Sequence, residues 1–181
     1  MTDPTFPNWA QISGARREHV LRVVRLLEQW AEASGVQPVE RRRWLRAAYL
    51  HDAVKDAPAE WLRGEAPDSW IITALLHGPA AANVARREGE DDEGVLSAVR
   101  YHSVGFADWD HVGVMLYLAD FLEPGRPLVE PWLGALRDRV PQDPGAALKS
   151  VATLRVRFLI DAGVPLIPET VAFWNTVWCD G

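Results

Sequence analysis

The chain has 181 residues, a formal net charge of −6, 48% apolar residues and nine Trp. This length suits one domain with a substantial core, and the apolar content excludes extensive disorder. The acidic balance argues against a general nucleic-acid binder, which carries a basic field. It leaves room for a small phosphorylated substrate where bound cations supply local positive charge.

Residues 1–12 hold two prolines and little apolar periodicity, and read as a loose N-terminal arm ahead of one domain over 13–181. From there the periodicity is helical nearly throughout. Ser13 and Gly14 precede a first helix over 15–33, ended by Gly35. Pro38 starts a second helix that runs to His51-Asp52. Pro58, Gly64 and Pro67 mark a connecting region, and Asp68 and Ser69 cap a segment from Trp70 to Leu76. His77-Gly78-Pro79 reads as a break, followed by a helix to about Arg87. Asp91 and Asp92 open the next helix, ending near His102, and another spans Asp110 to Leu122. Helical stretches near 129–139, 144–162 and 168–178 complete the chain. No stretch alternates as a strand would, so the expected fold is all-α, a compact single domain. No leader pattern or membrane-length apolar run is seen, and Cys179 is a lone cysteine; the expectation is a soluble cytoplasmic protein with no membrane or nucleic-acid partner.

The histidines and two aspartates fall at informative places on these elements. His19 lies four residues before Val23, seven before Leu26 and eleven before Trp30, which puts it on the apolar stripe of the first helix. His51 follows Trp44 by seven, His102 follows Val95 by seven and Val99 by three, and Asp120 follows Leu116 by four. His77 ends the run Ala74-Leu75-Leu76. A lone histidine on an apolar face is ordinarily a satisfied core residue. Taken together the six read differently. An unpaired ionised carboxylate in a dry interior costs at least several kcal/mol, and convergence on a divalent centre removes that cost. Imidazole and carboxylate are the ligand set of iron, manganese, zinc or cobalt. Neighbouring side chains on a helix diverge by about 100°, but at a helix end His51 and Asp52 can converge, and an aspartate can bridge two ions. His111 opens a helix and reads as a surface residue; Arg16 and Arg17 read as solvated.

The order His, His-Asp, His, His, Asp resembles the HD superfamily of metal-dependent phosphohydrolases. The strings Ala47–Asp56, Leu75–Pro79, Ala98–Ser103 and Leu116–Arg126 are similar to its YqeK-like branch, which hydrolyses diadenosine tetraphosphate symmetrically to two ADP. The resemblance extends from about Arg16 to Asn175 and implies metal ligation by His19, His51, Asp52, His77, His102 and Asp120. It implies two ions, iron foremost, with manganese, cobalt, zinc or magnesium as alternatives, and Asp52 bridging. His19, His51, Asp52 and Asp120 would suffice for one ion; His77 and His102 are the reason to expect a second. Asp52 and Lys55 are the catalytic candidates. Lys55 and Arg126 are the substrate-binding candidates, Lys55 offsetting charge on the departing ADP and Arg126 either reaching a phosphate or capping a helix. Two places depart from the branch: Phe106 stands where an arginine is common, and Gly113-Val114 where an acidic-lysine pair is usual. The alternatives are an HD-type hydrolase of another nucleotide and a non-catalytic nucleotide-binding module. Trp61, Trp70, Phe106 and Trp109 either stack on adenine or close a small core, and Trp174 and Trp178 serve a homodimer or only the core.

Overall fold

In the computed structural model, which describes residues 4–70, 72–125 and 132–179, the chain is helical from end to end. Helix α1 (Gly14–Ser34) is capped by Ser13, whose side chain accepts from the Arg16 N–H, and is ended by Gly35 at φ 62°. Its inward face carries His19, Val20, Val23, Leu26, Leu27 and Trp30. Helix α2 (Pro38–His51) begins on a proline, which suits the first turn because no N–H partner is lost there.

Two stretches differ from expectation. The connecting region contains α3 (Ala59–Glu65). Pro58 is its N-cap, where no N–H is needed and its carbonyl accepts from the Leu62 N–H (3.0 Å), and the buried Leu62 gives the short helix its hold on the core. The segment before His77 is a single 3₁₀ turn (Thr73–Leu75), and α4 (His77–Arg87) starts at His77 itself. Pro79 lies in the first turn of α4, where the backbone N–H has no intrahelical acceptor to lose.

Helices α5 (Glu93–Tyr101) and α6 (His111–Leu122) are capped by Asp92 and Asp110, which accept from the Val95 and Val112 N–H groups. Arg43 ties the two caps together. Its guanidinium reaches Asp92 at 2.6 and 2.9 Å, Asp110 at 2.6 Å and Glu40 at 2.9 Å. One side chain on α2 thus fixes where α5 and α6 begin. The chain closes with α7 (Trp132–Arg139), α8 (Pro144–Asp161) and α9 (Pro168–Cys179). Residues 129–131 of the seventh expected helix lie outside the described residues.

Helix α6 is apolar on nearly all sides and is accordingly buried, with α1, α2, α5, α7 and α8 packed against it. Over its described part, residues 4–12, the N-terminal segment lies along the loop after α2. The Gln11 N–H donates to the Ala53 carbonyl (2.7 Å), and the Ser13 N–H donates to the Asp56 carboxylate (2.7 Å). These bonds hold down the loop that carries Asp52 and Lys55. Among the described residues, no helix is long and apolar enough to cross a membrane.

Candidate functional site

All six residues singled out in the sequence are buried, and the fold brings them together. His19 comes from α1, His51 ends α2, Asp52 caps it, His77 starts α4, His102 caps α5 and Asp120 lies in the last turn of α6. Their ligand atoms form two groups, His19/His51/Asp120 and Asp52/His77/His102, each with its atoms within 4.8 Å of one another. Ligands at about 2 Å from one ion span roughly 4 Å, so each group is close to the size of an ion site. Asp52 faces both groups. Its Oδ1 lies 3.3 Å from His77 Nε2 and 3.5 Å from His102 Nε2. Its Oδ2 lies 3.8 Å from His19 Nε2 and 3.7 Å from His51 Nε2.

The outer ring nitrogens determine what the inner ones can do. His51 Nδ1 donates to the Ala48 carbonyl (2.7 Å), His77 Nδ1 to Ala74 (3.0 Å) and His102 Nδ1 to Val99 (2.8 Å). A carbonyl oxygen only accepts, so each Nδ1 carries the hydrogen. His19 Nδ1 donates likewise to Glu123 Oε1 at 3.2 Å. In neutral imidazole the other nitrogen is then a lone pair, and four such Nε2 atoms converge. Those of His77 and His102 are 3.0 Å apart. His19 Nε2 lies 3.1 Å from Asp120 Oδ1, yet neither it nor His51 Nε2 makes a hydrogen bond. Lone pairs and carboxylate oxygens facing one another repel until a cation or proton enters. The donor set and its tautomers therefore fit bound metal ions.

The electrostatics favour the neutral ring at His51 and His77 but not at His19. Burial pushes the His51 imidazole down to about 4. Burial, with the charges of His102 and Lys55, holds His77 well below the ordinary imidazole value. Burial acts on His19 too, but the carboxylates of Asp120, 3.1 Å away, and Asp52 outweigh it and raise that ring. Burial works against ionised Asp52, and the surrounding His51, His102 and His77 reverse it, keeping the carboxyl well below its usual range. Lys55 is lowered chiefly by burial, with Arg16 and Arg155 adding to the effect.

The group lines a cavity of about 500 Å³ that opens to solvent, with His51 behind it. Lys55 is in the wall, its Nζ 3.1 and 3.2 Å from the two His77 ring nitrogens. Arg16 is there too, which corrects the expectation that it is solvated: its Nη1 donates to Asp52 Oδ2 at 2.8 Å. It stands three residues before His19, hence on the same helix face, a spacing that could have revealed it. Arg17 is exposed, as expected, and covers the Phe6 ring at 4.2 Å. His111 is exposed, edge-on to Trp44. Arg126 lies outside the described residues. None of the four aromatic candidates is in the cavity wall. Trp61 packs on the core, Trp70 donates to Glu169, Phe106 stacks on Tyr101, and Trp109 donates to the Ser97 carbonyl beside Tyr117 and Phe173.

Three contributors escaped the sequence reading. Glu123 is 1% exposed and accepts from Arg22 Nε at 2.6 Å and from the Gly125 N–H at 2.6 Å while backing His19. Its signal was its place three residues after Asp120. Ser103 Oγ lies 3.2 Å from His77 Nε2 and 3.1 Å from His102 Nε2. Arg155 reaches the cavity from α8, and no local pattern announces it.

Comparison with known proteins agrees with this arrangement. The HD domain family model matches residues 16–125. The symmetrical bis(5'-nucleosyl)-tetraphosphatase of Halalkalibacterium halodurans is 33% identical over 102 residues, covering 56% of this chain and 54% of that protein. The protein of the same name from Bacillus subtilis is 27% identical over 173 residues, covering 91% and 90%. The match thus spans about half the length of the first relative and nine-tenths of the second. A crystal structure from Clostridium acetobutylicum, described as an HD superfamily hydrolase involved in NAD metabolism, superposes with a TM-score of 0.81 at 26% identity. It covers 94% of this chain and 92% of that one.

Proposed function

The chain belongs to the HD-domain family of metal-dependent phosphohydrolases, and from that premise we propose that it cleaves diadenosine tetraphosphate symmetrically into two ADP. The observation that carries the reading is the pair of donor groups joined by Asp52, with four Nε2 lone pairs turned inward. The relatives named as symmetrical tetraphosphatases supply the substrate.

In this reading His19, His51 and Asp120 would hold one ion and His77 and His102 the other, with Asp52 facing both groups. Iron is the first choice on the family resemblance; the imidazole and carboxylate donors equally suit manganese, cobalt and zinc, and magnesium is a further alternative. The chemistry such ions would supply is a water of near-neutral pKa and neutralisation of phosphate charge. The chain's own residues do the rest. Asp52 stays ionised at neutral pH and keeps its two oxygens as acceptors. The carbonyls of Ala48, Ala74 and Val99 keep the protons of His51, His77 and His102 on Nδ1, and Glu123 does so for His19. Lys55 presents its ammonium from the cavity wall, where it offsets the charge that develops on the departing ADP. Arg16 leans on Asp52 and turns the rest of its guanidinium toward the same space. Arg126 belongs to the reading as a further phosphate contact. A cytoplasmic setting belongs to it as well, supported by a lone exposed Cys179.

The test is a protein purified without chelator, its metal counted, and its products followed on diadenosine tetraphosphate and on a panel of mononucleotides. The expected result is two ions per chain and ADP as the sole product of the dinucleotide. Phosphate released from a mononucleotide, with no ADP from the dinucleotide, would overturn the substrate. Fewer than one ion per chain, with no hydrolysis restored by iron or manganese, would overturn the enzyme.

A further inference from the structure

Among the described residues of the cavity wall, one comes from beyond α6. Arg155 projects from α8, lies outside the stretch matched by the HD model, and meets the others across the fold. Its Nη2 donates to the Ser103 carbonyl at 2.8 Å, directly after His102. Its guanidinium carbon stands 5.7 Å from the centre of the Tyr117 ring. Those are its described contacts, and no carboxylate is among them. The other two cations of the wall are differently engaged: Arg16 is paired with Asp52, and Lys55 lies on His77. Arg155 therefore brings a positive charge that its surroundings do not match, with most of its five N–H donors still to be satisfied. A half-buried arginine in that state, held by an aromatic face and a backbone carbonyl, is preorganised for a phosphate.

We infer that Arg155 binds a phosphate of the substrate's polyphosphate chain, adjacent to those held at the histidine–aspartate centre, and thereby selects polyphosphates over nucleoside monophosphates. The inference rests on the proposed function for the substrate and on the geometry of α8 for the residue. It makes Arg155 a specificity-determining contact. The six metal-facing residues would take any phosphate ester alike, whereas a cation set apart from them rewards a longer chain.

Wild type, R155M and R155K are loaded with manganese. KM and kcat are measured on diadenosine tetraphosphate, and the Kd values of ADP and AMP by calorimetry. R155M is expected to raise KM and the ADP Kd by about tenfold or more, the scale of a lost charged hydrogen bond. Its AMP Kd moves far less, its kcat falls by a smaller factor than KM rises, and its bound metal and thermal midpoint stay those of wild type. R155K recovers part of the loss because the charge returns without the fork, and the KM of R155M rises less steeply with salt than that of wild type. An R155M protein with wild-type KM and ADP affinity overturns the inference. So does a loss confined to kcat and metal content, which would show that Arg155 only fastens the Ser103 loop. If wild type makes no ADP from the dinucleotide, the substrate reading is lost, and the ADP and AMP affinities alone then decide the role of Arg155.

Discussion

His19, His51 and Asp120 stand on three long helices that pack on one another, whereas His77 and His102 sit where α4 begins and α5 ends, on the other side of Asp52. The first group has a side-chain support at His19, alongside the Ala48 carbonyl that holds His51. Glu123 holds His19 and is itself held by Arg22 and the Gly125 N–H. The second group is steadied by main chain. The carbonyls of Ala74 and Val99 orient its two rings, and Gly78 lets the start of α4 press onto the end of α5. A Cβ on Gly78 would stand 2.6 Å from the Arg100 oxygen and 3.0 Å from the Val99 oxygen. The contrast is between a site whose basicity can be tuned through a carboxylate and a site whose geometry depends on backbone fit. Each can then be broken separately.

The largest effect is expected where the groups meet. Asp52→Ala removes the one residue that faces both, and should cut turnover by about a thousandfold or more while depleting metal. Far-UV circular dichroism should remain that of wild type, because Asp52 caps a helix by position and its side chain makes no capping bond. Retained turnover would mean that Asp52 does not join two ions. Next comes Gly78→Ala, which strikes backbone and should cost about 1–3 kcal/mol of stability. Metal analysis should find one ion where the proposed wild-type count is two, since the first group does not depend on this contact. Equal loss from both groups would erase the contrast.

Glu123→Gln addresses the other side. Loss of an outer carboxylate should weaken the first metal by about 10–100-fold and leave the second unmoved, giving a titration with two separated phases where wild type shows closer ones. A uniform shift would show that Glu123 serves the fold and not His19. The smallest effect is expected from Lys55→Met, which should lower kcat by about tenfold with metal content intact. A loss of metal instead would place Lys55 in the support of His77.

Much of this molecule was legible in advance because helical periodicity is a local property. The placement of His19, His51, His102 and Asp120 on apolar faces follows from spacings of three, four and seven, and all are buried. Local signals failed where a punctuating residue has two uses. Pro58 reads as part of a connecting region and Pro79 as part of a break, yet each stands at a helix start, and only the packing of Leu62 and of Gly78 on α5 decided between the two uses.

The sequence by itself determined an all-helical chain with six buried candidate metal ligands, since burying an apolar stripe also buries whatever polar residue shares it. Tertiary structure alone decided how the six are divided. The resemblance implied that Asp52 bridges; in the fold its Oδ1 faces His77 and His102 and its Oδ2 faces His19 and His51, an orientation no helical spacing governs because Asp52 lies past the end of α2. Packing likewise brought Arg16, Glu123 and Arg155 to the centre. Arg155 lies 52 residues from the Ser103 carbonyl it binds, a separation across which periodicity carries no information and only the docking of α8 on α6 does.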